Sequence, residues 1–115
     1  MSETDDIIER REAEVMVVGG GPAGLSAALY LARYDRSVIL FDTGQGRSTW
    51  HQTNHNYLGF PGGIPARELR ELGRQQLGEY PQVACLDRKI SEVRRDSDWF
   101  VAAGQAGEWR GRAVI

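Results

Sequence analysis

The residues best placed to do chemistry form one short glycine cluster and one acid. Gly19-Gly20-Gly21-Pro22-Ala23-Gly24 satisfies G-x-G-x-x-G at Gly19, Gly21 and Gly24. In that pattern the first glycine permits a tight strand-to-helix turn, and the second lets a pyrophosphate approach bare backbone. The third lets the helix pack closely on the strand. Amides at the helix start, helped by the positive end of its dipole, then meet phosphate oxygens. Pro22 offers no N–H, so Gly21 and Ala23 are the expected donors. Asp42 follows 18 positions after Gly24, close to the spacing of about 20 at which an acid takes a ribose 2′-hydroxyl. Its charge argues against a 2′-phosphorylated adenosine. These residues specify an adenine dinucleotide, but NAD and FAD share the motif.

Other reactive side chains are weaker candidates. His51 and His55 are four apart in a loop, with no carboxylate or thiol placed to complete a metal or base site. They read as loop or flavin-proximal residues, and no metal site is expected. Cys85 is the only cysteine, which rules out an internal disulfide or a Cys-x-x-Cys pair within this chain. It sits in a short apolar run and reads as a buried, inert thiol. Trp99 and Trp109 read as packing residues, and Trp50 as a ring able to shield a flavin. None of these residues reads as a catalyst.

The elements that must position the cluster follow from hydrophobic period. Glu14–Val18 is a short apolar run ending in glycines, the pattern of a strand buried on both faces. Pro22 to about Arg33 suits a helix with proline in its first turn. Ser37–Asp42 is a second buried strand closed by the acid, so the first third is one right-handed βαβ unit. From Thr43 to about Pro65 the chain is rich in Gly and Pro without a period, a loop length usually reserved for function. A helix is expected over about 66–80, with Leu69, Leu72, Leu77 and Tyr80 on its inner side, entered at Pro65 and ended by Pro81. Short strands follow at 83–86, 90–95, 99–103, 108–112 and 113–115. The expected fold is α/β: a Rossmann-like βαβ with parallel sheet, plus an antiparallel β-meander. That meander, and the long excursion after Asp42, favour FAD over NAD.

Bulk properties narrow the class. Of 115 residues, 41% are hydrophobic and 26% charged, with a net charge of −2, so no basic field advertises nucleic acid or an anionic membrane. Arginines alternate with acids, as in Arg67-Glu68 and Arg70-Glu71, and read as a solvated face. No apolar run reaches the roughly 20 residues a membrane span needs, and the N-terminus is acidic where a signal peptide would be basic. A cytoplasmic setting is expected. Residues 1–12 read as a flexible lead-in and 13–115 as the N-terminal portion of one cofactor-binding domain.

With these residues in view, the chain resembles the N-terminal, FAD-binding part of thioredoxin-reductase-like class II pyridine nucleotide-disulfide oxidoreductases. The resemblance rests on Val17–Ala28, Val38–Asp42, Asn56-Tyr-Leu-Gly-Phe-Pro-Gly-Gly-Ile64 and Ala113–Ile115. It implies that Gly19, Gly21, Pro22, Ala23 and Gly24 cradle the FAD pyrophosphate and that Asp42 holds the ribose. Thr43 and Asn56 join the contact set, and the backbone at Lys89 and Ile90 meets adenine. The family's Gly-Gln pair has no secure counterpart, since Gly44-Gln45 lies early. The parent reaction implied is electron transfer from NAD(P)H to a disulfide, or from a dithiol to oxygen, in relatives that are commonly homodimers. The nicotinamide domain and its Cys-x-x-Cys lie outside these 115 residues, so the chain is expected not to turn over alone. Two rivals remain: an NAD-binding module of a dehydrogenase, and a non-catalytic Rossmann-like interaction protein.

Overall fold

The computed structural model describes residues 9–43, 53–55 and 57–115. Among the described residues, eight strands and two helices follow in the order β1 (Glu12–Val18), α1 (Pro22–Arg33), β2 (Val38–Phe41), β3 (Thr53–Asn54), β4 (Ile64–Pro65), α2 (Ala66–Leu77), β5 (Val83–Leu86), β6 (Glu92–Asp96), β7 (Trp99–Gly104) and β8 (Gly107–Val114). Six of the strands form one sheet in the order β5-β2-β1-β8-β7-β6. β1 is parallel to β2 and to β8, and β2 is parallel to β5. β7 is antiparallel to both β6 and β8. The expected parallel nucleus and meander therefore share a single sheet, joined where β8 lies beside β1.

Strand residues alternate between two faces, and both faces carry core. Val15, Val17, Val38 and Leu40 pack with Leu25 and Ala28 of α1 and Leu77 of α2. On the other face Met16, Ile39 and Phe41 meet Ala102 and Trp109 of the meander. This accounts for the unbroken apolar run of β2, whose four residues are all buried. Trp109 stands edge-on to Phe41, ring centroids 5.1 Å apart at 67°. The Arg11 guanidinium lies 4.4 Å from the Trp109 ring.

Three boundaries differ from the sequence reading. β1 begins at Glu12, and Arg10 Nη1 donates to the Gln82 carbonyl at 2.6 Å. The end of the expected lead-in is thus tied to the sheet edge; residues 1–8 lie outside the described residues. The 108–112 and 113–115 segments form one strand, Gly107–Val114, whose pairs with β1 on either side of Arg112 keep a single parallel register. Within the long loop, Thr53–Asn54 and Ile64–Pro65 form a two-residue ladder that delivers the chain into α2. Leu72, expected on the inner side of α2, is exposed, whereas Leu69 and Leu77 are buried.

Candidate functional site

The site is the corner where β1 ends, α1 begins and β2 ends beside them. Gly19 sits at φ +110°, a backbone conformation that side chains rarely adopt, and its N–H donates to Phe41 O at 2.8 Å. The chain then turns into α1 with Pro22 at its first position, and the first helical hydrogen bond runs from Leu25 N–H to Gly21 O at 2.9 Å. The opening amides of a helix have no partner one turn earlier, so those of α1 are aimed at whatever occupies the corner. A Cβ on Gly24 would stand 2.1 Å from the Gly19 carbonyl oxygen. That carbonyl is therefore pressed against the helix, and the third glycine of the motif has the packing role expected of it.

A cavity of about 320 Å³ opens at this corner, lined by Val18, Gly19, Gly20, Gly21, Phe41, Asp42, Thr43, Arg88, Lys89 and Ile90. The structure thus brings Gly19, Gly21, Asp42, Thr43 and Ile90 to one place, although they come from separate stretches of the sequence. Pro22, Ala23 and Gly24 form the first turn of α1 next to it. Asn56 lies outside the described residues, as do Trp50, His51 and Gln45. His55 is described and exposed, and among the described residues no cluster of His, Cys, Asp and Glu is spaced to hold a metal ion.

Three features of the site were not visible in the motif. A Cβ on Gly20 would fall 2.1 Å from Asp42 Cγ and Oδ2, so the middle glycine of the triplet makes room for the acid. The three consecutive glycines were the available signal. Asp42 is only 8% exposed, and Arg70 of α2 grips it: Nε and Nη2 lie 2.7 and 2.6 Å from Oδ2, with Arg74 Nη1 at 3.4 Å. The reading of Arg70 as part of a solvated face is corrected here; its side chain is 18% exposed and reaches inward to the acid. The signal was the four-residue spacing of Arg70 and Arg74, which puts both on one helix face. Finally, a Cβ on Gly104 of β7 would fall 2.2 Å from the Lys89 carbonyl oxygen. That absence of side chain lets the 89–91 segment lie on the meander, where Ser91 N–H donates to Ala103 O at 2.9 Å.

Cys85 of β5 is half-buried on the helix-covered face. Burial pushes its thiol up from the ordinary 9.0, and the neighbouring Arg74 guanidinium offsets this only in part. A raised pKa suits an unreactive thiol. Trp109 is core, as expected, and Trp99 is flanked by the Arg110 and Arg112 guanidinia at 4.5 and 4.3 Å.

The arrangement fits an adenine dinucleotide on structural grounds: bare backbone at a helix start, an acid at the adjacent strand end, and a third backbone segment closing the cavity. The sequence profile of the family described as FAD dependent oxidoreductase matches residues 14–113. Thioredoxin reductase tcpT of Claviceps purpurea is 36% identical over 106 residues, covering 89% of this chain and 33% of that protein. The bifunctional thioredoxin reductase/thioredoxin of Mycobacterium leprae is 43% identical over 104 residues, covering 89% of this chain and 23% of that protein. Among solved structures, a thioredoxin reductase from Gloeobacter violaceus superimposes with a TM-score of 0.82 at 28% identity, covering 92% of this chain and 36% of that one. The chain spans about a third or less of the length of these relatives.

Proposed function

Because the chain belongs to the FAD dependent oxidoreductase family and is a domain resembling thioredoxin reductase, we propose that its corner cavity binds the ADP half of FAD. The pyrophosphate lies on the amides of Gly21 and Ala23, with Gly19, Pro22 and Gly24 shaping the turn. Asp42 takes the adenosine ribose beside Thr43, and the backbone at Lys89 and Ile90 meets adenine. Asn56 joins the flavin side by resemblance. The observation that carries this is the convergence of Gly19–Gly21, Asp42 and Ile90 on one cavity.

Flavin supplies two-electron chemistry when bound, and the protein supplies placement and electrostatics. The residues of this chain bind and orient; no general acid or base is assigned among them. In the longer proteins of this kind, NAD(P)H and a disulfide or dithiol are the proposed partners, in a homodimer in the cytoplasm. Residues 13–115 are proposed to form the N-terminal portion of that FAD domain. No helix among the described residues is long and apolar enough to cross a membrane.

Titration of the apo-chain with FAD, followed by flavin fluorescence and visible absorbance, tests the proposal. Saturable quenching that excess NAD does not reverse is the expected result. Displacement of FAD by NAD would move the assignment to a nicotinamide module. An unaltered flavin signal at saturating protein would leave a fold without a cofactor.

A further inference from the structure

We propose that Arg70 is the positioning residue of the ribose site: it holds the Asp42 carboxylate at the Gly20 corner, and thereby gives the cavity a preference for ribonucleotides over 2′-deoxyribonucleotides. The inference rests on the nucleotide reading above and assigns a role to a residue outside the glycine motif.

Backbone, steric room and side-chain contacts together hold Asp42 in place. Its N–H donates to Leu86 O at 3.0 Å, which sets the main chain but leaves the side-chain torsion open. The bare Cα of Gly20 supplies the space in which the carboxyl group sits. Arg70 then chooses the orientation, since Nε and Nη2 both converge on Oδ2 at 2.7 and 2.6 Å. Arg74 reaches the same oxygen at the longer distance of 3.4 Å and contributes less. Planar guanidinium donors on a helix impose direction on a carboxylate in a way a lone ammonium does not.

The same contact compensates the burial of the acid. A carboxylate with 8% exposure has lost most of its water, and a buried charge persists only when paired. An ionised carboxylate accepts a hydrogen bond from a sugar hydroxyl more strongly than a neutral group does. Arg70 does not line the cavity, whereas Asp42 does. Arg70 therefore acts on a ligand through Asp42, as a positioning residue, and its signature is sugar discrimination rather than affinity as such.

The test is calorimetric titration of the full chain with ADP and with 2′-deoxy-ADP, which differ only in the hydroxyl that Asp42 would hold. The unmodified chain is expected to prefer ADP by about tenfold or more, the scale of a hydrogen bond to a charged group. Arg70→Met should bring the ratio close to unity, as should the isosteric Asp42→Asn, and combining the two should change the ratio no further. Arg70→Lys should restore part of the preference. A purely structural arginine would weaken both ligands equally, so an unchanged ratio in a folded Arg70→Met chain overturns the proposal. Should Arg70→Met not fold, Arg70→Lys decides: an intermediate ratio supports the role, and an unchanged one refutes it. Binding of ADP without ribose preference in the unmodified chain defeats Arg70's role alone, whereas no ADP binding defeats the nucleotide reading with it.

Discussion

Replacing Gly24 by alanine asks whether the helix–turn contact at the corner is as tight as the geometry makes it. In an ordinary helix the change would help, because alanine is favoured over glycine by about 1 kcal/mol. Here the added Cβ would lie 2.1 Å from the Gly19 carbonyl oxygen and 3.3 Å from Val17 Cγ1. An ordinary contact needs more than an ångström beyond the first of these distances, and the oxygen belongs to backbone that cannot rotate away. Overpacking of this kind costs typically about 1–3 kcal/mol, and a main-chain neighbour puts Gly24 at the upper end. Subtracting the helix gain leaves a net loss of about 2 kcal/mol. For a domain of this size that lowers Tm by roughly 8 °C, at about 4 °C per kcal/mol. Gly73 of α2 is the internal control, since its added Cβ would meet a side-chain end, Leu25 Cδ1, at 2.8 Å rather than backbone. Gly73→Ala should therefore lie near neutral, the helix gain offsetting the displaced methyl. Thermal and urea unfolding followed by circular dichroism compare the two, with FAD titration alongside. Gly24→Ala should also weaken FAD, since the amides of the turn move with Gly19. A Gly24→Ala chain as stable as its parent, or a Gly73→Ala chain more damaged than it, refutes the reasoning.

Gly104→Ala should detach the 89–91 segment from β7, because its Cβ would fall 2.2 Å from the Lys89 oxygen. Stability should drop by roughly 2 kcal/mol in urea unfolding, and FAD should bind more weakly; an undisturbed titration would disconnect that segment from the ligand. Trp109→Ala should cost about 3–5 kcal/mol in the same assay, since Trp109 is 1% exposed against Phe41 and Arg11. Cys85 has a raised folded pKa, so its contribution is fully present below the unfolded value and is lost as pH climbs through the folded one, in the alkaline range above about 9. Cys85→Ala should flatten that alkaline loss in pH-dependent unfolding, and iodoacetamide should label the native thiol far more slowly than the unfolded one at neutral pH. Rapid labelling of the native chain would contradict a buried, unreactive group.

The βαβ corner was legible because its requirements are local. Gly19, Gly21, Gly24 and Pro22 each answer a backbone condition that can be stated from neighbours in sequence, and α1 runs from Pro22 to Arg33 as its period predicts. The doubly buried strands were equally readable, since Val38–Phe41 has no polar residue to give a face away. What escaped was non-local. Arg70 and Glu71 look like any solvated pair until Arg70 is seen against Asp42; the spacing of Arg70 and Arg74 says that they share a helix face, but not that this face turns inward. Gly104 looks like a hairpin glycine because it precedes a turn. Only the path of residues 89–91 gives it a steric reason. Leu72 was misplaced because Leu69 and Leu77 already satisfy the buried side of a twelve-residue helix with a narrow apolar stripe.

The two halves of the sheet are not independent supports for the cavity. The motif supplies the pyrophosphate wall from β1 and α1, but the opposite wall, Lys89 and Ile90, precedes β6 and is set against β7 through Gly104 and the Ser91–Ala103 hydrogen bond. β7 is hydrogen-bonded to the nucleus by way of β8, which pairs antiparallel with it and parallel with β1. The width of the cavity is therefore fixed by strand spacing across β1-β8-β7, a distance that backbone hydrogen bonding holds nearly constant. Trp109 sits on β8 at the middle of that path and packs on Phe41, whose carbonyl receives the Gly19 N–H. One side chain thus bears on both walls. A mechanical connection of this kind explains why a packing residue some way from the glycine turn should affect ligand affinity together with stability, and why the meander belongs to the binding site rather than decorating it.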